Sequence, residues 1–286
     1  MPVTGPRLAV DLTGSLIRVL DGALGRQMRC GSGGTPAGSL VDGKVVDVNS
    51  VGAALRQLLA RTEISESRAL IAASDAVATF RVLKLPPAMT DPDVDAVVAR
   101  ELALDPGRMS TRWVDLGANS EQRLVYAVAW DRAQIKNITD AARAAGLDPQ
   151  VVELKSACMA RAVPEAACVV VDLVSNPAEI VLVDDSVPQA WHTFQVDVPA
   201  GDDIGPVLVS PLQTVLRFYK RRRDTQFDSS PVFLATEQPL SARTASALSK
   251  KLEHPVVALP APGRVPKEVR HATYLTCLGL IMRRSA

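Results

Sequence analysis

The feature that most constrains the fold is a pattern that occurs twice in the chain. An apolar run ends in an aspartate, a short turn follows, and a second strand-like run comes next. The first copy lies at residues 8–22 and contains Asp11, and the second lies at residues 168–188 and contains Asp172, about 160 residues further on. Strand-like and helix-like segments follow each copy. The spacing predicts a duplicated α/β unit in which each half begins with a β-hairpin.

The composition limits the functions that such a chain can serve. Apolar residues make up 47% of the 286 residues and charged residues 22%, as in soluble globular proteins with a substantial core. A net charge of +1 and an aromatic content of 4% give no basis for a nucleic-acid surface. The sequence shows no signal peptide and no apolar run long enough to span a membrane, so we expect a cytoplasmic protein that reaches a membrane only through partners.

Cysteine and histidine spacing predicts neither a metal site nor a disulfide framework. The four cysteines contain no C-x-x-C pair, and the three histidines have no metal-ligand spacing. We therefore expect reduced cysteines that pack as small apolar residues. They are Cys30, Cys158, Cys168 and Cys277.

Local signals predict where several helices begin and end. Apolar residues at helical spacing over 51–59 indicate a helix, with Ser50 as its N-cap. A second helix is expected to end at Gly146, because glycine favours helix C-termini. Residues 265–284 are predicted to form one closing helix.

Four segments, in order, resemble the PilM family of type IV pilus assembly proteins, which belongs to the actin-like ATPase superfamily and is related to FtsA. The first resembles the family's first phosphate hairpin, and the second its Pro-x-Gly turn and following helix. The third resembles its Arg-x-x-x-Leu-Pro strand, and the fourth its final helix with Leu-Gly-Leu. These segments are residues 9–22, 35–59, 78–101 and 271–284.

The resemblance implies an α/β protein with a two-lobed actin-like fold, duplicated hairpin-containing units and a small inserted subdomain. The first lobe is expected at residues 1–165, with the inserted subdomain at about 76–130. The second lobe is expected at 166–265, and residues 266–286 are expected to form a C-terminal helix that packs back on the first lobe.

The resemblance also implies a nucleotide site between the two hairpins. Asp11 and Asp172 take the positions of two acids that hold Mg²⁺ through water, since Mg²⁺ releases its waters reluctantly. Thr13, Gly14 and Ser15 take the positions of the first phosphate turn, where backbone N–H groups hold an anion.

Several residues depart from this pattern. Arg18 replaces a lysine that neutralises phosphate charge, and its planar guanidinium is larger and differently aimed. Thr13 and Val174 replace glycines, and Pro177 removes a backbone donor from the second turn. Residues 235–237, Ala-Thr-Glu, replace the glycine pair of the third nucleotide element. We therefore expect a pseudo-ATPase without a cofactor and with no assigned catalytic residue; retained binding of ATP and Mg²⁺ is the alternative.

The resemblance implies a scaffold of type IV pilus assembly, or of related secretion or DNA-uptake machinery. Its expected partner is the cytoplasmic N-terminal peptide of a PilN-like inner-membrane protein, together with other pilus assembly components. The peptide groove is expected among residues 70–130, around residues 78–87. A homo-oligomer is compatible with this function, and nucleic acid is not an expected partner.

Three alternative functions have different sequence requirements. An ATP-dependent switch in the same machinery requires the cleft to bind nucleotide. An FtsA-like membrane tether requires a C-terminal amphipathic helix after a linker, and the sequence shows neither at 280–286. A small-molecule kinase of the same superfamily requires intact phosphate turns and a catalytic aspartate.

Overall fold

The computed structural model describes residues 8–102, 105–198, 203–220, 227–237 and 240–283. Its first ten strands are β1 (Leu8–Asp11), β2 (Leu16–Gly22), β3 (Met28–Gly34), β4 (Leu40–Val41), β5 (Lys44–Val45), β6 (Arg68–Ala73), β7 (Ala78–Leu85), β8 (Met109–Ala118), β9 (Arg123–Asp131) and β10 (Asp148–Leu154). The remaining strands are β11 (Cys168–Asp172), β12 (Ala178–Asp184), β13 (Val187–Phe194), β14 (Val232–Ala235) and β15 (Val256–Ala258). The helices are α1 (Val48–Arg61), α2 (Asp91–Leu102), α3 (Arg132–Ala144), α4 (Lys155–Ala162), α5 (Gly205–Lys220), α6 (Ala242–Leu252) and α7 (Leu275–Ile281).

Two five-stranded sheets have the same topology. The first sheet has the order β10-β6-β1-β2-β3 and the second the order β15-β14-β11-β12-β13. In each sheet three consecutive antiparallel strands are followed by two strands that pair in parallel. Parallel pairing requires a crossover, which α1 supplies between β1 and β6 and α5 supplies between the second hairpin and β14. The predicted duplication is therefore confirmed.

A small subdomain is inserted between β6 and α3. Its three strands pair in the order β7-β9-β8, and α2 packs on the sheet through its own apolar cluster. Buried members of that cluster are Leu85, Val94, Val98, Leu102, Val125, Ala127 and Ala129. The residue boundaries expected for the lobes and the subdomain stay predictions.

Two local predictions differ from the structure. Asp47, not Ser50, is the N-cap of α1, and its carboxylate accepts from the backbone N–H of Ser50. The closing segment is not one helix: α7 begins only at Leu275, and residues 266–274 form turns with bonds such as Val269 N–H to Pro266 O. Residues 284–286 of the predicted helix lie outside the described residues.

Close packing of α7 against α4 explains the glycine in the Leu-Gly-Leu segment. A Cβ atom on Gly279 would lie 1.9 Å from the carbonyl oxygen of Cys158. α7 also joins Ala9, Leu20 and Leu70 of the first sheet in one apolar cluster. The helix therefore covers the face of the first sheet that α1 and α3 leave open. In the described part of the chain, none of the helices is long and apolar enough to cross a membrane.

Candidate functional site

The first hairpin places a buried ion pair at the cleft between the two sheets. Asp11 ends β1, and the antiparallel register puts Arg18 of β2 directly opposite. Arg18 Nη1 donates to Asp11 Oδ2 at 3.1 Å, and both side chains are almost fully buried. Burial lowers the pKa of Arg18, but the charge and hydrogen bond of Asp11, together with the charge of Asp172 and a contribution from Cys277, raise it above its ordinary value, so the guanidinium stays charged. Thr13 closes the turn by donating its N–H and hydroxyl to Asp11 Oδ1 at 3.0 and 2.5 Å.

The second hairpin places two acids opposite each other. Asp172 ends β11, and the register pairs it with Glu179 of β12. Like charges that face each other across neighbouring strands repel, so this pair requires a cation. Asp172 also accepts the N–H of Val174 at 2.9 Å, which fixes the turn.

Lys155 supplies that cation. It is the first residue of α4, directly after β10, and only 2% of its side chain is exposed. Its ammonium nitrogen lies 2.7 Å from Asp172 Oδ2 and 3.0 Å from Glu179 Oε2. Burial lowers the pKa of Lys155, but the charges of Asp172 and Glu179 together outweigh burial. The pKa of Lys155 is therefore above its ordinary value. The pKa of Asp172 is in turn held low, because Lys155 and Arg18 outweigh the effect of its burial.

Further contacts connect the two hairpins directly. Arg18 Nη2 donates to Ser175 Oγ at 2.8 Å, and the N–H of Asn176 donates to Ser15 Oγ at 3.4 Å. The structure therefore brings the two predicted phosphate turns together across the cleft.

Asp75 adds a buried carboxyl from the end of the first sheet. It accepts the N–H of Ser156 at 2.9 Å and also the Ser156 hydroxyl, and it lies within hydrogen-bonding reach of Glu179. Burial, and then the charge of Glu179, raise the pKa of Asp75 well above its ordinary value. Glu179 Oε1 is buried and has no hydrogen-bond partner in the described structure.

A cavity of about 720 Å³ lies beside this charged cluster. Thr13, Gly14 and Ser15 line it, whereas Asp11, Arg18 and Asp172 are not among its described lining residues. Its charged lining consists of Asp42, Lys155 and Glu179.

The third expected nucleotide element lies elsewhere. Ala235 is buried in β14, and Glu237 accepts from the Thr273 hydroxyl at 3.1 Å. Glu237 also approaches Arg270. The expected adenosine segment is thus packed towards the turns that precede α7.

This arrangement does not suit a Mg²⁺-nucleotide. Asp11 and Asp172, the two predicted Mg²⁺ positions, are each neutralised by a side-chain cation at contact distance. The one cation that lines the cavity, among the described residues, is Lys155, which two carboxylates already hold. Residues 8–102, 105–198, 203–220, 227–237 and 240–283 contain no group of three or more metal-ligating side chains. Among its described lining residues, the cavity therefore offers no unpaired positive charge to a polyphosphate.

Sequence reasoning missed the residues that complete this cluster. Lys155 is the one charge in the first six residues of α4, "KSACMA", and such a position among small and apolar residues indicates a buried ion pair. Glu179 is a lone charge in the apolar strand "AEIVLV", opposite Asp172 once the hairpin register is drawn. Asp75 and Ser175 follow no pattern that a single sequence shows.

A second candidate site is an apolar groove of about 440 Å³ between the inserted subdomain and the first sheet. One wall is formed by β8 and β9 and the other by α3, β10 and the start of α4. Its lining includes the aromatic residues Trp113, Tyr126 and Trp130 and the exposed Val114, and Arg112 and Glu153 add two charges.

The groove lies partly within the range 70–130 expected for a peptide site, but it is not formed by residues 78–87. Residues 78–82 and 84 instead line a separate cavity of about 540 Å³ that faces β13 and α5. The Tyr126 hydroxyl is buried, lacks a partner in the described structure, and keeps its proton because burial raises its pKa well above the ordinary value.

Two sheets of the same topology that face each other across a cleft, with a hairpin aspartate on each side, define a two-lobed actin-like fold. Among actin-like proteins, the chain has the PilM-like form of the fold. The chain of a "PilM-PilN type IV pilus biogenesis complex" matches with a TM-score of 0.71 and 20% identity, over 97% of this chain and 98% of that chain.

Other comparisons support the same fold. The cytoplasmic domain of EpsL, an inner-membrane component of the type II secretion system of Vibrio cholerae, matches with a TM-score of 0.56 and 12% identity, over 97% of this chain and 95% of that one. The ethanolamine utilization protein EutJ from Carboxydothermus hydrogenoformans matches with a TM-score of 0.53 and 16% identity, over 99% and 91%. No family model and no curated protein matches the chain.

Proposed function

We propose that this protein is a pseudo-ATPase scaffold of a type IV pilus or related secretion machine, and that it binds an apolar cytoplasmic peptide of a PilN-like inner-membrane protein. The observation that carries this proposal is the apolar groove between the inserted subdomain and the first sheet. Support also comes from the solved PilM-PilN complex, whose PilM-like fold this chain has.

The groove has the chemistry that an extended apolar peptide requires. Its aromatic side chains, Trp113, Tyr126 and Trp130, offer large apolar surfaces. The free hydroxyl of Tyr126 is a donor for a peptide carbonyl, which would otherwise lose its hydrogen bond to water on binding. β10 is an edge strand of the first sheet and lies along the groove, so backbone pairing with a peptide is geometrically available.

The scaffold role, rather than an ATP-dependent one, follows from the charges in the cleft. A nucleotide-driven switch needs a site whose charge favours Mg²⁺ and phosphate, and here the protein's own cations occupy the hairpin acids. In this proposal the protein is cytoplasmic and associates with the inner membrane through its partner. Contacts with other assembly components, and self-association, are further parts of the same role.

Calorimetric titration tests the proposal directly. The probe is a synthetic peptide that carries the cytoplasmic N-terminal segment of a PilN-like inner-membrane protein from the same organism, with a scrambled peptide as control. We expect micromolar binding of the native peptide only, with a Kd that changes less than twofold when Mg-ATP is added. Absence of binding refutes the partner assignment, and binding that requires Mg-ATP supports the switch alternative instead.

A further inference from the structure

The cleft contains an ion network that the scaffold proposal does not need for peptide binding. Two cations, Arg18 and Lys155, lie among acids from both sheets: Asp11 on the first, and Asp172 and Glu179 on the second. All five side chains are buried. Burying this many charges is costly unless they are paired. The network therefore differs from surface ion pairs, which form without such a cost.

Each cation connects parts of the structure that belong to different sheets. Arg18 is anchored by Asp11 of its own hairpin and reaches Ser175 in the opposite hairpin. Lys155 directly follows β10 of the first sheet and binds both acids of the second hairpin. Lys155 has two carboxylate partners, whereas Arg18 keeps one buried nitrogen, Nε, without a hydrogen-bond partner in the described structure.

We infer that Arg18 and Lys155 form a permanent latch that holds the two lobes together, and that the Lys155 ammonium takes the place of a divalent cation between Asp172 and Glu179. The latch keeps the cleft closed without nucleotide. The inference does not depend on the groove, so a negative peptide titration would refute the partner assignment and leave the latch untouched.

A chemical consequence distinguishes this latch from an ordinary buried salt bridge. Removing the ammonium leaves two carboxylates facing each other beside a cavity that is open to small ions. Carboxylate oxygens are the ligands that Mg²⁺ and Ca²⁺ prefer. A Lys155 variant should therefore acquire a divalent-cation site that the natural protein lacks.

The test compares K155M with the natural protein by thermal unfolding, in EDTA and in 5 mM MgCl₂ or CaCl₂. K136M is the matched control, because Lys136 is an exposed lysine that pairs with Asp140. In EDTA we expect K155M to lose about 10 °C in Tm and to regain at least half of it with either metal. The natural protein and K136M should not respond to metal.

Small-angle scattering supplies a second readout. K155M in EDTA should have a larger radius of gyration than the natural protein, and metal should reverse the increase. If K155M is insoluble, the triple variant K155M/D172N/E179Q, which removes the unpaired acids, should restore soluble protein without any metal response.

Four results would overturn the inference, three of them from the variants and one from the natural protein. Those from the variants are a K155M variant as stable as the natural protein in EDTA, a K155M loss that no metal reverses, and insolubility that the triple variant does not relieve. A metal-dependent rise in the Tm of the natural protein would overturn it as well.

Discussion

Substitution of Val114 tests whether the apolar groove is the peptide site. Val114 lies on β8, lines the groove, and is 60% exposed, so it packs little in the free protein. Complete burial of a valine side chain is worth about 1.5 kcal/mol, so burying the exposed part on binding contributes about 0.9 kcal/mol. V114A should therefore weaken peptide binding about fivefold. V114D should weaken it more than tenfold, because an unpaired carboxylate would also be buried.

The assay is the peptide titration, combined with thermal unfolding of each variant. Because Val114 is exposed, the Tm should stay within about 2 °C of the natural value. V257D is the matched control: Val257 is a 42% exposed strand valine on β15, in the second sheet and away from the groove. Equal peptide affinity for V114D and the natural protein, or an equal loss in V257D, would refute the assignment.

Two further predictions concern stability. Because the pKa of Asp75 is raised in the folded state, the folded protein keeps a proton that the unfolded chain releases, and stability falls as pH rises above the ordinary carboxyl range towards the raised value. Urea unfolding between pH 5 and 8 should show that D75N loses this pH dependence. If the free energy of unfolding changes with pH in D75N as it does in the natural protein, Asp75 is ionised in the folded state. G279A should lower the free energy of unfolding by about 3 kcal/mol or more, since its Cβ would meet the Cys158 carbonyl. The control G34A, whose Cβ would meet nothing within 4 Å, should lower it far less. Equal urea midpoints for the two variants would contradict the close helix packing.

The sequence was sufficient to predict the architecture because the fold is repeated. Two hairpins with an aspartate at the same position carry the same five-strand topology, so one pattern predicts both halves. The pairing of Asp11 with Arg18 is also local, since a tight hairpin places residues seven apart on facing strands, but the sequence analysis assigned these two residues to Mg²⁺ and phosphate instead.

The chemistry of the cleft was not predictable in the same way. Lys155 lies 17 residues before Asp172 in a different element, and only the tertiary packing of α4 brings them together. Asp75 reaches Ser156 across 81 residues. The error at the start of α1 has a simpler cause. Asp47 and Ser50 are both residue types that favour the N-cap position, and the hydrogen bond from the Ser50 N–H to the Asp47 carboxylate makes Asp47 the cap.

The apolar groove is assembled from segments that are distant in sequence, and the peptide site expected around residues 78–87 stays a prediction. The expected segment at 78–87 belongs to the inserted subdomain, yet its strand β7 faces another cavity. The apolar groove is made instead by β8 and β9 together with β10, whose residues are distant in sequence. A contact surface of this kind depends on how the subdomain is oriented, and no single segment encodes that orientation.

The most direct test of the central claim is a thermal-shift titration of the natural protein with Mg-ATP and Mg-ADP. A ligand at one hundred times its Kd adds about 2.7 kcal/mol of stability, which is about 5–10 °C for a chain of this size. Because Arg18 and Lys155 already satisfy the hairpin acids, we predict no shift at millimolar nucleotide. A shift of several degrees that D11A abolishes would show that the cleft binds nucleotide and would contradict the account.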